Sequence, residues 1–235
     1  MRKLFFETGE IYHVYNRGTD KRNIYLKRDD YARFLNYLID FNSLNPIDKK
    51  RVIEEKKKNL KRGEILQYEN IDDDPLVDIL AFCLMPNHFH LLLRQKVDGG
   101  ITKFMQRILT GYVMAFNIKQ KRTGVLFQGR FKAVHVDKQE YLDYLIFYIH
   151  FNPLSLVKDV SDSNGTLNFL NTYEWSSHID YSFMDKKGSI FVDKEFFFEN
   201  FKNGKEYLKK SKEWLRIIKE KNNIKNFTAK GIDCE

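Results

Sequence analysis

The sequence predicts an α+β fold in which helices pack on one antiparallel sheet, and three observations lead to this prediction. Short runs of β-branched and aromatic residues alternate with longer runs whose apolar residues recur at helical spacing. Two of the short runs follow each other across a tight turn, which indicates a hairpin. The order is strand, helix, strand-turn-strand, helix, strand and helix. This order is typical of a split βαβ, ferredoxin-like sheet that carries one extra helix.

The first half of the chain supplies one strand, one helix and the hairpin. Residues 11–16 (IYHVYN) are predicted to form a strand that ends at the Arg17-Gly18 turn. From Asp29 onward apolar residues recur at helical spacing, and acidic residues in the first turn suit the positive end of the helix dipole. The predicted hairpin consists of residues 76–84, the turn Met85-Pro86-Asn87 and residues 88–94.

The second half supplies the remaining strand and helices. Residues 101–118 form an amphipathic pattern, residues 124–130 form a loop with two glycines, and residues 131–136 form a strand. A helix over residues 138–152 must end near Pro153, because the residue before a proline is driven out of the helical region. We expect a looser region from residue 154 and a Lys-rich terminal helix around residues 205–219.

We predict one domain over residues 1–182 and a Lys-rich helical extension over residues 183–235. A basic insertion, at about residues 45–75, interrupts the first of these. Within it, residues 49–62 hold eight basic residues against Glu54 and Glu55. The run is either a solvated charged helix or a surface that contacts a DNA backbone.

Composition favours a folded protein with a polyanionic partner. Of the 235 residues, 43% are hydrophobic and 15% aromatic, which is enough for a core. The net charge is +8, and Lys and Arg that neutralise phosphates release condensed counterions. Many soluble proteins are equally basic, so the charge alone does not establish nucleic-acid binding.

Several classes of protein are disfavoured by the sequence. Cys83 and Cys234 have no metal-ligand spacing, which argues against structural zinc and a disulfide framework. The N-terminal residues do not have the pattern of a signal peptide, and no run approaches the roughly 20 apolar residues of a membrane span. There is no Walker-type glycine loop for a nucleotide cofactor. We therefore expect a soluble, cytoplasmic protein.

The strongest local feature is the pair His88 and His90. Residues i and i+2 of a strand point to the same face, so both imidazoles converge while Phe89 points the other way. Two imidazoles on one face are half of a divalent-metal site, although such a pair is often ordinary packing.

The second feature is the segment that ends the last predicted helix of the sheet domain. Tyr148 and Asn152 are four residues apart and therefore neighbours on one face. A phenol can attack phosphorus once a cation or base activates it, and an amide oxygen is a sensible third ligand beside two histidines. The alternative is that Tyr148 only packs its helix against the sheet.

Taken together, these motifs resemble the single-tyrosine HUH transposases of the IS200-like type, and within them the REP-associated tyrosine transposases. The resemblance covers roughly residues 8–182. The matching segments are Tyr12-His13-Val14, Asn16-Arg17-Gly18, Met85-Pro86-Asn87-His88-Phe89-His90-Leu91, residues 124–132 (GVLFQGRFK), Tyr148-Ile149-His150-Phe151-Asn152-Pro153 and Trp175-Ser176-Ser177. The long basic insertion departs from the family pattern, and residues 183–235 carry no family motif.

The resemblance implies an enzyme that cleaves and rejoins DNA. His88, His90 and Asn152 would bind Mg²⁺ or Mn²⁺, and Tyr148 would attack a single-stranded phosphodiester. The products would be a 5′-phosphotyrosine link and a free 3′-hydroxyl. Expected partners are single-stranded or hairpin DNA, with the protein acting as a monomer or a homodimer.

Other polar residues are weaker candidates. His135 and His150 are more typical of histidines satisfied by their surroundings, and Tyr144 is the rival nucleophile one turn before Tyr148. The residues expected to contact DNA are His13, Asn16, Arg17, Arg130 and Lys132. For His13, core packing or a backbone hydrogen bond is the more typical role.

Three other readings remain open. The chain could hold a DNA or RNA hairpin without cutting it, or hydrolyse a phosphodiester with water as the nucleophile. It could also be a structural protein in which the two histidines are incidental. The target DNA, the cleavage position and the physiological metal cannot be read from the residues.

Overall fold

The computed structural model describes residues 5–44, 74–157, 163–187 and 189–220. The predicted insertion at residues 45–75 lies outside the described residues, except for Asp74 and Pro75. The basic run at 49–62 and Cys234 also lie outside them.

Four strands form one sheet in the order β2-β3-β1-β4. They are β1 (Ile11–Arg17), β2 (Val77–Met85), β3 (His88–Gln95) and β4 (Lys132–His135). Strands β1 and β4 are antiparallel, with Tyr12 opposite His135 and Tyr15 opposite Lys132. The first and last strands lie side by side, and the hairpin continues the sheet from β1. This is the split βαβ arrangement, so the predicted α+β, ferredoxin-like fold is confirmed.

Three helices follow the strands as predicted. They are α1 (Arg28–Asp40), α2 (Gly100–Lys119) and α3 (Gln139–Phe151). The first turn of helix α1 contains Asp29 and Asp30. The Asp30 carboxylate accepts hydrogen bonds from the backbone N–H groups of Leu26 and Lys27 at 2.9 and 3.0 Å. These bonds satisfy amides at the entry to the helix, where no intrahelical acceptor exists.

The region after residue 154 is more ordered than predicted. It contains α4 (Ser163–Thr172), α5 (His178–Lys187), α6 (Lys194–Asn200) and α7 (Gly204–Glu220). Only α7 was predicted. Helices α4 to α6 have 10, 10 and 7 residues, too few for a strong periodic signal in the sequence.

The described chain divides into two compact units. The first comprises the described residues within Met1–Asp78, Pro86–Phe89 and Leu93–His135. Its core includes an aromatic cluster in which Phe34 lies 5.1 Å from Phe89 and 5.3 Å from Tyr112, measured between ring centroids. The Phe34–Tyr112 pair, with planes at 73°, is packed edge to face, which adds to the stabilisation from buried area.

The second unit comprises the described residues within Ile79–Met85, His90–Leu92 and Val136–Glu235. Its core combines α3 with the C-terminal helices: the Phe147 ring stacks on Tyr207 at 5.8 Å and on Trp214 at 5.6 Å. The predicted boundary between a domain at 1–182 and an extension at 183–235 stays a prediction.

Candidate functional site

Strand β3 presents two buried histidines on one face. His88 is 7% exposed and His90 is 0% exposed. Phe89, between them, packs its ring at 5.1 Å from Phe34 and at 6.0 Å from Phe127. Because side chains alternate along a strand, the two imidazoles point to the face opposite Phe89.

The turn before β3 determines which nitrogen of His88 carries the proton. The Asn87 Nδ2 donates to the Lys21 carbonyl at 3.2 Å, which leaves the Asn87 Oδ1 to face His88. That oxygen lies 2.6 Å from His88 Nδ1. An amide oxygen only accepts, so Nδ1 donates and Nε2 carries the lone pair, the form in which an imidazole binds a metal ion.

Tyr148 lies against His90 within the second unit. Their ring centroids are 5.5 Å apart with planes at 85°, and Tyr148 is 1% exposed. On its other side, Tyr148 stacks on Tyr144 at 5.9 Å with planes at 19°. The structure therefore brings the predicted nucleophile beside one of the two predicted histidine ligands, whereas Tyr144 lies one turn earlier in the helix.

Asn152 lies at the end of α3, which stops near Pro153 as predicted. The reason given for that end was wrong: Asn152 keeps helical angles (φ −48°, ψ −40°), the α-helix ends at Phe151, and a 3-10 helix follows over Asn152–Leu156. The buried Asn152 Nδ2 donates to the Tyr148 carbonyl at 2.9 Å. This bond joins the two polar residues of the motif within a single turn.

The candidate DNA-contacting residue His13 is buried on β1. It is 3% exposed, and its ring stacks on Tyr15 at 5.1 Å. Burial lowers the pKa of His13 to about 3, so the imidazole is neutral at pH 7. It offers no charge to a phosphate, and its contact with DNA stays a prediction.

The other candidates of this group lie where β1 meets the glycine loop at residues 124–130. Asn16 Nδ2 donates to the Gly129 carbonyl at 3.1 Å, and the Gln128 N–H donates to the Arg17 carbonyl at 2.9 Å. Arg130 and Lys132 are exposed. The structure thus brings Arg17 to the loop that leads into Arg130 and Lys132.

Sequence reasoning missed four basic residues of this region. Thr19 N–H donates to the Leu126 carbonyl at 3.0 Å, which holds the turn after β1 against the same loop. The adjacent basic residues of these two segments are Lys21, Arg22, Lys121 and Arg122. Their density in short turns was visible in the sequence, but the pairing of two distant turns was not.

His135 and His150 are satisfied histidines, as expected. His135 Nε2 lies 2.7 Å from a Glu10 carboxylate oxygen. His150 Nε2 lies 2.8 Å from Ser177 Oγ, and His150 Nδ1 lies 2.8 Å from the Tyr207 hydroxyl. Neither histidine belongs to a metal cluster. No group of three or more His, Cys, Asp and Glu residues could hold a metal ion within the part of the chain that the structure describes.

Comparison with known proteins finds a family model that matches part of this chain. Residues 45–152 match the model of a family described as "Transposase IS200 like". The resemblance to IS200-like transposases that the motifs indicated is therefore confirmed over this segment. The match includes β2, β3 and α3, with His88, His90, Tyr148 and Asn152.

One similar protein is found among the solved structures. A REP-associated tyrosine transposase bound to a REP hairpin is similar to this chain, with 13% sequence identity and a TM-score of 0.44. The similarity covers 77% of this chain and 84% of that one. No curated protein matches the chain. No helix among the described residues is long and apolar enough to cross a membrane.

Proposed function

We propose that this protein is a metal-dependent transposase that cleaves single-stranded DNA through a covalent bond to Tyr148. The observation that carries the proposal is the contact of Tyr148 with His90, in a helical turn that also holds Asn152. The match to the IS200-like transposases over residues 45–152 supports the same class of reaction.

The proposed step exchanges one phosphate ester for another. The Tyr148 oxygen attacks the scissile phosphorus, and the bond from phosphorus to the 3′ oxygen breaks. The phenolic proton is lost as the new ester forms, and the departing 3′ oxygen gains a proton. Tyr148 then holds the 5′ phosphate, and the reverse attack by a 3′-hydroxyl releases it. Bond energies are similar on both sides, so no nucleotide is consumed.

The chemistry of three side chains suits a divalent cation. His88 presents Nε2 because Asn87 holds the proton on Nδ1, and His90 shares its face of the strand. Asn152 carries an amide oxygen that its bond to the Tyr148 carbonyl does not use. We propose these three as ligands of Mg²⁺ or Mn²⁺. Such an ion polarises a phosphate and stabilises the charge that develops on it.

The DNA contacts are proposed for the basic turns of the first unit. Two segments that hydrogen-bond to each other carry the basic residues of this surface. These residues are Arg17, Arg130 and Lys132, together with the exposed Lys21 and Lys121. Such a surface suits phosphates, whereas base recognition needs stacking and edge contacts elsewhere. We propose a hairpin-bearing single strand as the substrate, with His13 and Asn16 supporting the strand that leads to this surface.

The test is covalent capture on a denaturing gel. Labelled single-stranded hairpin oligonucleotides, first those from DNA flanking the gene, are mixed with the protein and Mg²⁺ or Mn²⁺. We expect a metal-dependent adduct that Tyr148→Phe abolishes and His90→Ala lowers by about 100-fold or more. Tyr144→Phe is the matched control and should retain the adduct.

Other outcomes separate the alternatives. Cleavage without an adduct would show that water is the nucleophile. Tight hairpin binding without cleavage would indicate a binding module. An adduct that survives Tyr148→Phe and disappears in Tyr144→Phe would transfer the nucleophile to Tyr144.

A further inference from the structure

A chain of side-chain hydrogen bonds runs through the interior of the second unit. Ser177 Oγ and His150 Nε2 are 2.8 Å apart, His150 Nδ1 and the Tyr207 hydroxyl are 2.8 Å apart, and that hydroxyl lies 2.6 Å from His178 Nδ1. All four residues are 0% exposed. We call this set the buried relay. It links α3, the start of α5, and α7.

The Ser177 end of the buried relay is fixed to the sheet. Ser177 Oγ accepts the Phe82 N–H at 2.8 Å and donates to the Phe82 carbonyl at 3.2 Å, and its own N–H donates to that carbonyl at 3.0 Å. Phe82 is in β2, the neighbour of the strand that carries His90. The Trp175-Ser176-Ser177 motif thus connects α3 to the sheet.

The protons of the buried relay have one favourable arrangement. Ser177 donates to the Phe82 carbonyl, so its oxygen accepts from His150 Nε2–H. His150 Nδ1 then accepts from Tyr207, and the Tyr207 oxygen accepts from His178 Nδ1–H. The opposite direction would place a proton on His178 Nε2, which is buried without a hydrogen-bond partner among the described residues. A buried N–H without an acceptor is rarer and more costly than an unused lone pair.

Both histidines of the buried relay are neutral over a wide pH range. Burial lowers the pKa of His178 to about 3. Burial, with a smaller contribution from His178, also lowers the pKa of His150 well below its usual value. Burial raises the pKa of the Tyr207 hydroxyl. The buried relay therefore keeps one set of donors and acceptors and does not carry charge.

We propose that His150, Ser177 and Tyr207 are positioning residues that hold Tyr148 in its reactive place against His90. The inference rests on the proposed function and extends it to α7, whose Tyr207 reaches a helical turn far away in sequence. His150 lies between Tyr148 and Asn152 in the last turn of α3. Both of its ring nitrogens are bonded, one towards β2 and one towards α7, so that turn can neither slide nor rotate without breaking a buried bond.

The Asn152 bond to the Tyr148 carbonyl adds a constraint inside the same turn. Tyr144 and Tyr141 lie earlier in α3, where their rings stack at 6.4 Å between centroids. Misplacing a nucleophile by about 1 Å lowers a rate by as much as about 100-fold. We therefore expect the restraint on this turn to affect the rate of attack by Tyr148. The affinity for DNA should not change, because we assign the DNA contacts to the first unit.

The test compares Tyr207→Phe with Tyr181→Phe in the full chain. Both tyrosines are fully buried in the same unit, and the Tyr181 hydroxyl donates to the Leu80 carbonyl at 2.7 Å, outside the buried relay. The substrate is the hairpin oligonucleotide that the wild type cleaves best, at saturating concentration. Tyr207→Phe should slow adduct formation about 10- to 100-fold. The Kd for the oligonucleotide should be unchanged. Tyr181→Phe keeps the ring that lies 4.7 Å from His150 and removes no bond of the buried relay, so its rate should stay within about threefold of wild type.

A second measurement needs no DNA. Long-range ¹H–¹⁵N spectra of the imidazoles should show the Nε2–H tautomer for His150 and the Nδ1–H tautomer for His178. Tyr207→Phe should leave the His150 tautomer, which Ser177 sets, and should release His178 from its single tautomer. Equal adduct rates for both variants, or the opposite tautomers in wild type, would overturn the positioning role while leaving the nucleophile intact. Absence of an adduct in wild type would overturn the proposed function itself, and the inference with it.

Discussion

At the scale of single residues, Asn87 decides how His88 can act. Its amide is oriented by the Lys21 carbonyl and holds the proton on His88 Nδ1. A histidine that binds a metal ion through one nitrogen usually donates its other N–H to such a partner, and that partner contributes to metal affinity. Asn87 belongs to the turn motif, yet its spacing alone did not indicate this role.

Removing the Asn87 amide should therefore weaken metal binding. We expect Asn87→Ala to reduce Mn²⁺ affinity by about tenfold or more, because His88 loses the acceptor that selects its tautomer. Isothermal titration calorimetry measures the affinity. Asn200→Ala removes a side-chain amide that donates to the Phe196 carbonyl at 2.8 Å, and it should bind Mn²⁺ as wild type does. Equal affinities in the two variants would contradict the role of Asn87.

The basic turns make a second prediction at this scale. Each phosphate contact contributes close to one unit to the slope of log K against log salt concentration. Arg130→Ala and Lys132→Ala should each flatten that slope by about 0.7 to 0.9 for a hairpin oligonucleotide. Fluorescence anisotropy at four or more salt concentrations measures it. Lys103→Ala, an exposed lysine of α2, should leave the slope unchanged.

At the scale of elements, length decided what the sequence could predict. Strands β1 to β4 and helices α1, α2, α3 and α7 were anticipated because each carries a clear periodic pattern or a marked turn. Helices α4 to α6 were not, because two or three turns give a weak pattern and packing stabilises them more than intrinsic propensity does.

The candidate site was predictable to a similar degree. His90, Tyr148 and Asn152 became candidates because strand and helix spacing place the histidine pair, and the tyrosine with the asparagine, on one face each. Their roles came from the family resemblance and stay predictions. The buried relay could not, because it joins His150 to Ser177 and Tyr207, which are 27 and 57 residues away in sequence. Spacing within an element gives no information on such distant pairings. A family motif such as Trp175-Ser176-Ser177 marks a segment as important, but it does not show which contacts that segment makes.

At the scale of the whole molecule, buried ionisable groups make stability depend on pH. His13, His150 and His178 all have a pKa lowered by burial, so below about pH 6.5 the unfolded chain binds protons that the folded chain does not. Asp180 acts oppositely: burial raises its pKa to about 7, partly offset by a hydrogen bond from Ser189. Between about pH 4 and pH 7, Asp180 keeps a proton in the folded chain that it has lost in the unfolded chain.

Near pH 5 the three histidines therefore outweigh the one carboxyl by about two protons. The free energy of unfolding should fall by roughly 2 to 3 kcal/mol per unit as pH decreases from about 6 to 5. Urea unfolding across this interval measures the slope. His13→Gln removes one of the three contributions and should lower the slope by about 1 kcal/mol per pH unit. A stability that stays level or rises on acidification would contradict this balance.

The pairing of residues 175–177 with β2 also bears on self-association. An edge strand with open backbone groups invites a strand from another molecule, which leads to sheet extension or aggregation. Here the Leu84 N–H donates to the Trp175 carbonyl at 2.8 Å, and Cys83 pairs with Ser176. A second copy therefore cannot add a strand at these positions, and any dimer that forms on this side must use side chains rather than a continuous sheet.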